Sequence, residues 1–263
     1  MYKKLLELEN KLIVVTGGTG LLGKEFCRGL AEFGAHIIIG SINEEKGKLL
    51  SEELNKRLGN HNVSYKHLDI TSEESVTNFI TEISDESGEI DVLVNNAYPR
   101  NKEYGKLFED VPFSSYEENI LSHMGGYFLV SQRVSERMMH QKSGVIINIA
   151  SIYGFLGPNF SVYEGTPMTM PVEYSMIKGG IINFTRYLST YLAPYNIRVN
   201  SISPGGIFDN QPSSFVKSYS EKVPLGHMAE PSDIVGTLIF LSSDASKYIT
   251  GQNIIVDGGL SVW

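Results

Sequence analysis

Cysteine is almost absent from the 263-residue chain. The single Cys27 rules out an internal disulfide, and it falls where a helix should pack, so it reads as a buried, unreactive thiol. Basic residues are also scarce: 22 Lys and Arg stand against 30 Asp and Glu, a net charge of −8. A diffuse negative surface repels DNA, RNA and anionic membranes, so no nucleic-acid or membrane partner is expected. An anionic substrate stays open, because a local basic pocket can outweigh the mean field. No apolar run approaches the ~20 residues of a membrane-spanning helix. Residues 1–11 alternate charge with leucine and hold no unbroken apolar segment, so no signal peptide is read there. A reducing cytoplasm is the expected compartment. Repeats, low-complexity tracts and linkers are missing too, and one domain over residues 1–263 is expected. No metal ligand set is assigned.

What is present is a patterned core: 41% hydrophobic residues and only 20% charged ones. Short Val- and Ile-rich runs at Leu12–Thr16, Ile37–Gly40, Val63–Leu68, Ile90–Asn95, Val145–Ala150, Ile197–Ile202 and Asn253–Val256 read as strands covered on both faces. Amphipathic stretches at Gly20–Phe33, Asn43–Leu58, Ser72–Ser87, Ser114–His140, Val172–Ala193 and Pro231–Ser242 read as helices. Alternation of this kind predicts a parallel sheet with right-handed crossovers. Tyr153–Pro171 and Gly205–Pro224 look irregular and long, as lids and binding loops do, with a short helix in the second.

The first strand runs into Gly17-Gly18-Thr19-Gly20-Leu21-Leu22-Gly23. Gly18, Gly20 and Gly23 have dinucleotide-binding spacing, and a helix follows at once. Glycine lets the backbone approach a pyrophosphate, whose charge the helix N-terminus stabilises. The turn thus predicts a Rossmann-like α/β fold: three layers, a doubly wound sheet of seven mainly parallel strands, helices on both faces. NAD or NADP is the expected cofactor, held by Gly17, Thr19, Gly20, Leu22 and Gly23. The second strand ends at Ser41, where an acid would select NAD. No arginine stands there to bind a 2′-phosphate, so the choice stays open. Asp69, with Ile70 beside it, suits either the adenine amino group or an N-cap on the helix from Ser72.

Tyr174 and Lys178 lie four apart on a predicted helix and share one face. A free phenol has a pKa near ~10, and a cation within ~4–6 Å lowers a pKa by ~1–3 units. Lys178 would so bring Tyr174 into range for proton exchange with an alcohol or carbonyl. Around this pair stand Asn95-Asn96-Ala97, Asn148-Ile149-Ala150-Ser151, Arg198-Val199-Asn200 before Pro204-Gly205, and Gly251-Gln252 before Val256-Asp257-Gly258-Gly259. In this order the motifs resemble the short-chain dehydrogenase/reductase family from Lys11 to Gly259. The resemblance implies that Tyr174 is the acid/base, that Ser151 positions the substrate oxygen, and that Lys178 binds the nicotinamide ribose. It also implies cofactor contacts at Asn95, Ala97, Pro204, Gly205 and Ile207, and a homotetramer or dimer. The tail residues Leu260, Val262 and Trp263 suit either such an interface or their own subunit.

The chain departs from the family pattern in several places. Tyr98 replaces the glycine that follows Asn-Asn-Ala. Gly17, Gly20 and Gly23 also match the extended branch of epimerases and dehydratases. His123 stands where the family has a water-anchoring asparagine, and suits a proton relay near pH 6.5 or plain packing. Asp209 replaces a threonine expected to touch the nicotinamide amide. Ser151 and Tyr174 are farther apart than usual, with an insertion at Tyr163–Pro171 that should shape the substrate pocket. Arg100 and Lys102 could meet a phosphate or carboxylate, although solvated loop charges are the commoner outcome. Similarity to dehydrogenases of flagellin or surface-polysaccharide modification implies a sugar or sugar derivative, with a steroid-like or acyl substrate as the rival. Two other functions stay open: an epimerase or dehydratase with tightly bound NAD, and a cofactor-binding sensor without catalysis.

Overall fold

Seven strands form the centre of the computed structural model, which describes residues 2–263; Met1, the first residue of the N-terminal stretch read above, lies outside them. They are β1 (Leu12–Thr16), β2 (His36–Ser41), β3 (Val63–His67), β4 (Val92–Asn95), β5 (Gly144–Ile149), β6 (Ile197–Pro204) and β7 (Asn253–Val256). All neighbours pair in parallel, in the order β3-β2-β1-β4-β5-β6-β7. Alternate residues of each strand enter opposite layers. Val14, Ile38, Leu93 and Ile146 pack under Phe79, Tyr127 and Ile181. Ile13, Val15, Ile39 and Val94 pack under Phe26, Leu30 and Leu238 on the other face. Each such fully buried side chain contributes about 1.5–3 kcal/mol.

Eight α-helices of the described residues cover the sheet: α1 (Leu21–Glu32), α2 (Glu44–Leu58), α3 (Glu73–Ser87), α4 (Phe113–Asn119), α5 (Gly125–Gln141), α6 (Val172–Leu192), α7 (Ser213–Ser220) and α8 (Val235–Ser242). Asn43 and Ser72 cap α2 and α3 through their side chains. The predicted helix Ser114–His140 is in fact broken. A π-helical turn, Ile120–Met124, joins α4 to α5 and carries His123. Such a turn inserts one residue without breaking apolar patterning, so periodicity does not report it. Pro231 likewise opens a 3₁₀ turn, Pro231–Ile234, before α8 begins.

Because β1 has β2 on one side and β4 on the other, the crossovers wind outward in opposite directions, and a crevice opens at the carboxyl ends of these strands. The two irregular segments fold over its far side. Val162 and Tyr163 from one pack with Phe215, Tyr219 and Val223 from the other, and Met168, Met170 and Leu260 lean on this third, smaller cluster.

Candidate active site

A cavity of about 650 Å³ fills the crevice. Its near wall is the glycine turn. Gly17 has φ +62°, and a Cβ there would sit 2.7 Å from the Ala97 backbone. A Cβ on Gly23 would meet the Gly17 carbonyl at 2.2 Å, so α1 can press on the turn only as glycine. Gly20 opens α1 with no side-chain cap. The first-turn N–H groups therefore face the cavity ready for an anion, which is the donor set that a pyrophosphate requires. Gly17, Thr19, Gly20, Leu22, Pro204, Gly205 and Ile207 line the cavity, with Asp209 beside them.

Other expected cofactor residues stand behind that lining. Ser41 is buried, with its hydroxyl 2.7 Å from that of Thr19. Asp69 accepts from the Thr71 N–H and hydroxyl, whereas Ser72 itself caps α3, so the N-cap role expected for Asp69 belongs to Ser72. Ile70 packs in the core, where its side chain meets the space that a Cβ on Gly126 would fill. Asn95 does hold the sheet end. Its Nδ2 donates to Ser131 Oγ and Asn148 Oδ1, and Asn148 donates on to Thr185 of α6. With its amide committed there, Asn95 turns away from the cavity; Asn96 lines it instead, donating to the carbonyls of Thr16 and Gly17. Ala97 lies directly under Gly17.

Ser151, Tyr174 and Lys178 meet in the middle of the cavity. Ser151 follows β5, and Tyr174 and Lys178 stand in the first turns of α6, after Pro171. The Ser151 hydroxyl stands beside the Tyr174 phenol and accepts from the Tyr153 N–H at 3.2 Å. Lys178 Nζ donates to the Ile149 carbonyl at 2.7 Å and lies 5.5 Å from the centre of the Tyr174 ring. Burial dominates the acid–base balance here and corrects one expectation. The Tyr174 phenol is pushed up, not down, by desolvation; the Ser151 hydroxyl opposes this, and Tyr98 and Tyr153 add to it. Burial also brings the Lys178 ammonium down to about 7, so near neutral pH its charge is only partly present beside the phenol.

His123 does not line the cavity. It is fully buried, with its ring 5.0 Å from that of Tyr98 and 5.3 Å from that of Tyr127. Burial, then Lys178, holds its pKa well below the ordinary value, so a relay titrating near pH 6.5 is replaced by a packed, neutral ring.

Some lining residues were not singled out one by one in the sequence, although Tyr153, Gln211 and Tyr219 fall in the two irregular segments read there as binding loops. Tyr98 was noted only as a departure, yet its ring touches those of Tyr174, His123 and Tyr104. Tyr153 and Tyr219 also line the far wall, with Gln211 and Met228. The tyrosines crowding 153–219 were a usable signal; only packing could say which faced inward. Arg100 lines the cavity and Lys102 does not. No group of three or more His, Cys, Asp or Glu able to hold a metal occurs among the described residues. Among those residues, no helix is long and apolar enough to cross a membrane. At the tail, Leu260 leans on the third cluster and Trp263 Nε1 donates to the Lys222 carbonyl, while Val262 and most of the Trp263 ring stay exposed.

A family model described as enoyl-(acyl carrier protein) reductase matches residues 20–261. The chain is 38% identical over 253 residues to the post-translational flagellin modification protein A of Campylobacter coli, covering 96% of this chain and 98% of that one. The chain belongs to the short-chain dehydrogenase/reductase family. Among solved members, a short-chain dehydrogenase from Leptospira borgpetersenii with bound NAD+ superposes with a TM-score of 0.84 at 34% identity, covering 97% of this chain and 94% of that one. A gluconate 5-dehydrogenase from Burkholderia cenocepacia, in complex with NADP and tartrate, superposes with a TM-score of 0.89 at 26% identity over the full length of both chains. The protein is thus an NAD(P)-dependent oxidoreductase of this family, acting on a small molecule.

Proposed function

We propose that the enzyme interconverts an alcohol and a carbonyl, with Tyr174 giving the proton in reduction and taking it in oxidation. The observation that carries this is the convergence of Tyr174, Ser151 and Lys178 in one cavity, opposite the glycine turn. Ser151 holds the substrate oxygen beside the phenol. Lys178, anchored on the Ile149 carbonyl, is placed for a nicotinamide ribose hydroxyl. The raised phenol pKa keeps Tyr174 protonated, the state that reduction needs. When bound, the cofactor supplies or takes the hydride. Ser41 would meet its adenosine ribose, Asp69 and Ile70 its adenine, and Pro204, Gly205 and Ile207 its carboxamide end.

The substrate we infer is a sugar or sugar derivative. Support comes from the phenols of Tyr98, Tyr153, Tyr163 and Tyr219 around the cavity and from the names of the flagellin-modifying and gluconate-oxidising relatives. One catalytic domain spanning 1–263 would work in the cytoplasm, where NAD(P) is abundant. A homotetramer is proposed through the outer faces of α5 and α6, where Phe128, Tyr187 and Tyr191 are exposed. Sedimentation as a monomer at micromolar concentration would refute that assembly. The test of the reaction is a screen of sugars, simple ketones, a steroid and an acyl thioester with NADH and with NADPH, following absorbance. Turnover of a hydroxylated ketone or sugar is expected. Turnover of only the steroid or the thioester overturns the substrate reading, and NAD that stays bound without net turnover overturns the reaction.

A further inference from the structure

The substrate wall of the cavity holds one cation besides Lys178. This is Arg100, in the loop between β4 and α4. Its guanidinium carbon lies 5.3 Å from the centre of the Tyr98 ring. That ring has Lys178 Nζ at 5.8 Å and Tyr174 at 5.7 Å between centroids. Tyr98 is therefore a platform, with the acid–base pair against it and Arg100 resting on it. The platform is braced, because its hydroxyl donates to Tyr104 at 2.6 Å.

The next residue fixes the loop. The Asn101 N–H donates to Asn119 Oδ1 at 3.0 Å, and Asn101 Nδ2 donates to Glu118 at 2.8 Å. Asn101 Oδ1 accepts from the Ser115 hydroxyl, and Asn119 reaches back to the buried Glu173 carboxylate next to Tyr174. The arginine is thus carried on a pinned backbone, over an aromatic face that favours its flat guanidinium. Among the described residues no carboxylate pairs with it, as is also true of Arg137, Arg186 and Arg198, but of these arginines Arg100 alone lines the cavity. The one acid of the cavity lining is Asp209, and its neighbours Ile207 and Gln211 hold it on the β6 side.

A cation held this way, in a protein of net charge −8, serves a purpose that bulk attraction cannot. We propose that Arg100 is the anion subsite of the substrate pocket, and that the natural substrate carries a carboxylate or phosphate which this guanidinium binds while Tyr174 and Ser151 hold the reacting oxygen. The proposal rests on the oxidoreductase reading of the same cavity and names the charge class of its substrate. A planar guanidinium meets either anion with two parallel hydrogen bonds.

The test uses whole protein loaded with NADH, which leaves alcohol probes unreacted. Sorbitol, gluconate and sorbitol 6-phosphate are titrated by calorimetry. At least one anion should bind about tenfold or more tighter than sorbitol, as a charge-assisted hydrogen bond implies, and the preferred anion identifies carboxylate or phosphate as the group. Arg100→Ala should remove that preference and leave NADH affinity within about twofold, because a lost ion pair acts only where it was made. Lys102→Ala, outside the cavity, should change neither. Anions that bind no better than sorbitol, no binding by any probe included, overturn the proposal. So does an Arg100→Ala protein that keeps the preference, or one that loses NADH to the same degree, since the arginine would then serve the cofactor phosphates. Binding by Tyr174→Phe keeps the two readings apart. Anion preference retained in a variant without turnover supports both. Anion preference in a protein whose Tyr174→Phe variant still turns over upholds the subsite and refutes the acid–base assignment.

Discussion

The two walls of the cavity are made differently. The cofactor wall is mostly backbone: a glycine turn, an uncapped helix end, and the ends of β4 and β5, which Asn95 and Asn148 tie to each other and to Thr185 of α6. The substrate wall is side chain: a cluster of aromatic residues and methionines drawn from an insertion, α7 and the tail. One wall is fixed by the sheet it grows from. Apart from the pinned loop of Tyr98 and Arg100, the other is held mainly by packing among its own side chains, with Tyr219 also accepting from the Gly206 N–H, so it can change with the substrate while the chemistry stays in place.

That contrast can be broken at several points. Tyr174→Phe should lower turnover by about 10²-fold or more, with NADH binding retained; a smaller loss in steady-state assays would move the proton elsewhere. Gly17→Ala attacks the backbone wall. Positive φ and contact with Ala97 should weaken NADH binding by about tenfold or more through strain of roughly 1–3 kcal/mol, read by fluorescence titration. Unchanged affinity would mean that the turn is pliable. Phe215→Ala attacks the other wall. It should raise KM for the substrate several-fold yet leave NADH affinity within about twofold, because the cluster does not touch the turn. Equal effects on both would erase the distinction between the walls.

The probe furthest from the substrate is pH. Burial lowers Lys178 from 10.5 to about 7. Between those values the unfolded chain binds a proton that the cofactor-free fold does not. Stability of that form should therefore rise as pH increases from about 7 towards 10.5, and below about 7 the full penalty for burying the charge remains. Lys178→Met should flatten this slope in thermal melts of cofactor-free protein. A slope that persists would assign it to another group.

The contrast also explains what could be read from the chain alone. Strand positions, the glycine turn and the Ser151, Tyr174 and Lys178 trio are local patterns or ordered motifs, and each lies close to where it was expected. The direction of the Tyr174 shift was misjudged, because spacing reveals a neighbouring charge but not the desolvation that outweighs it. The orientation of Asn95 was hidden for a similar reason: a motif names the residue, whereas the partners Ser131 and Asn148 decide which way its amide points. Arg100 and Lys102 are two residues apart and equivalent on paper, and only the fold turns one of them into the cavity.

The wide turn at Ile120–Met124 has a geometric consequence. Each residue of an α-helix advances about 100° around its axis, so α4 and α5 are out of phase by the one residue that this turn absorbs. Deleting any residue between 120 and 124 would make a straighter rod and a worse enzyme. It would swing Asn119 off Asn101 and Glu173 while leaving Tyr127 seated, and so cut the loop of Tyr98 and Arg100 loose from a sheet that had not moved.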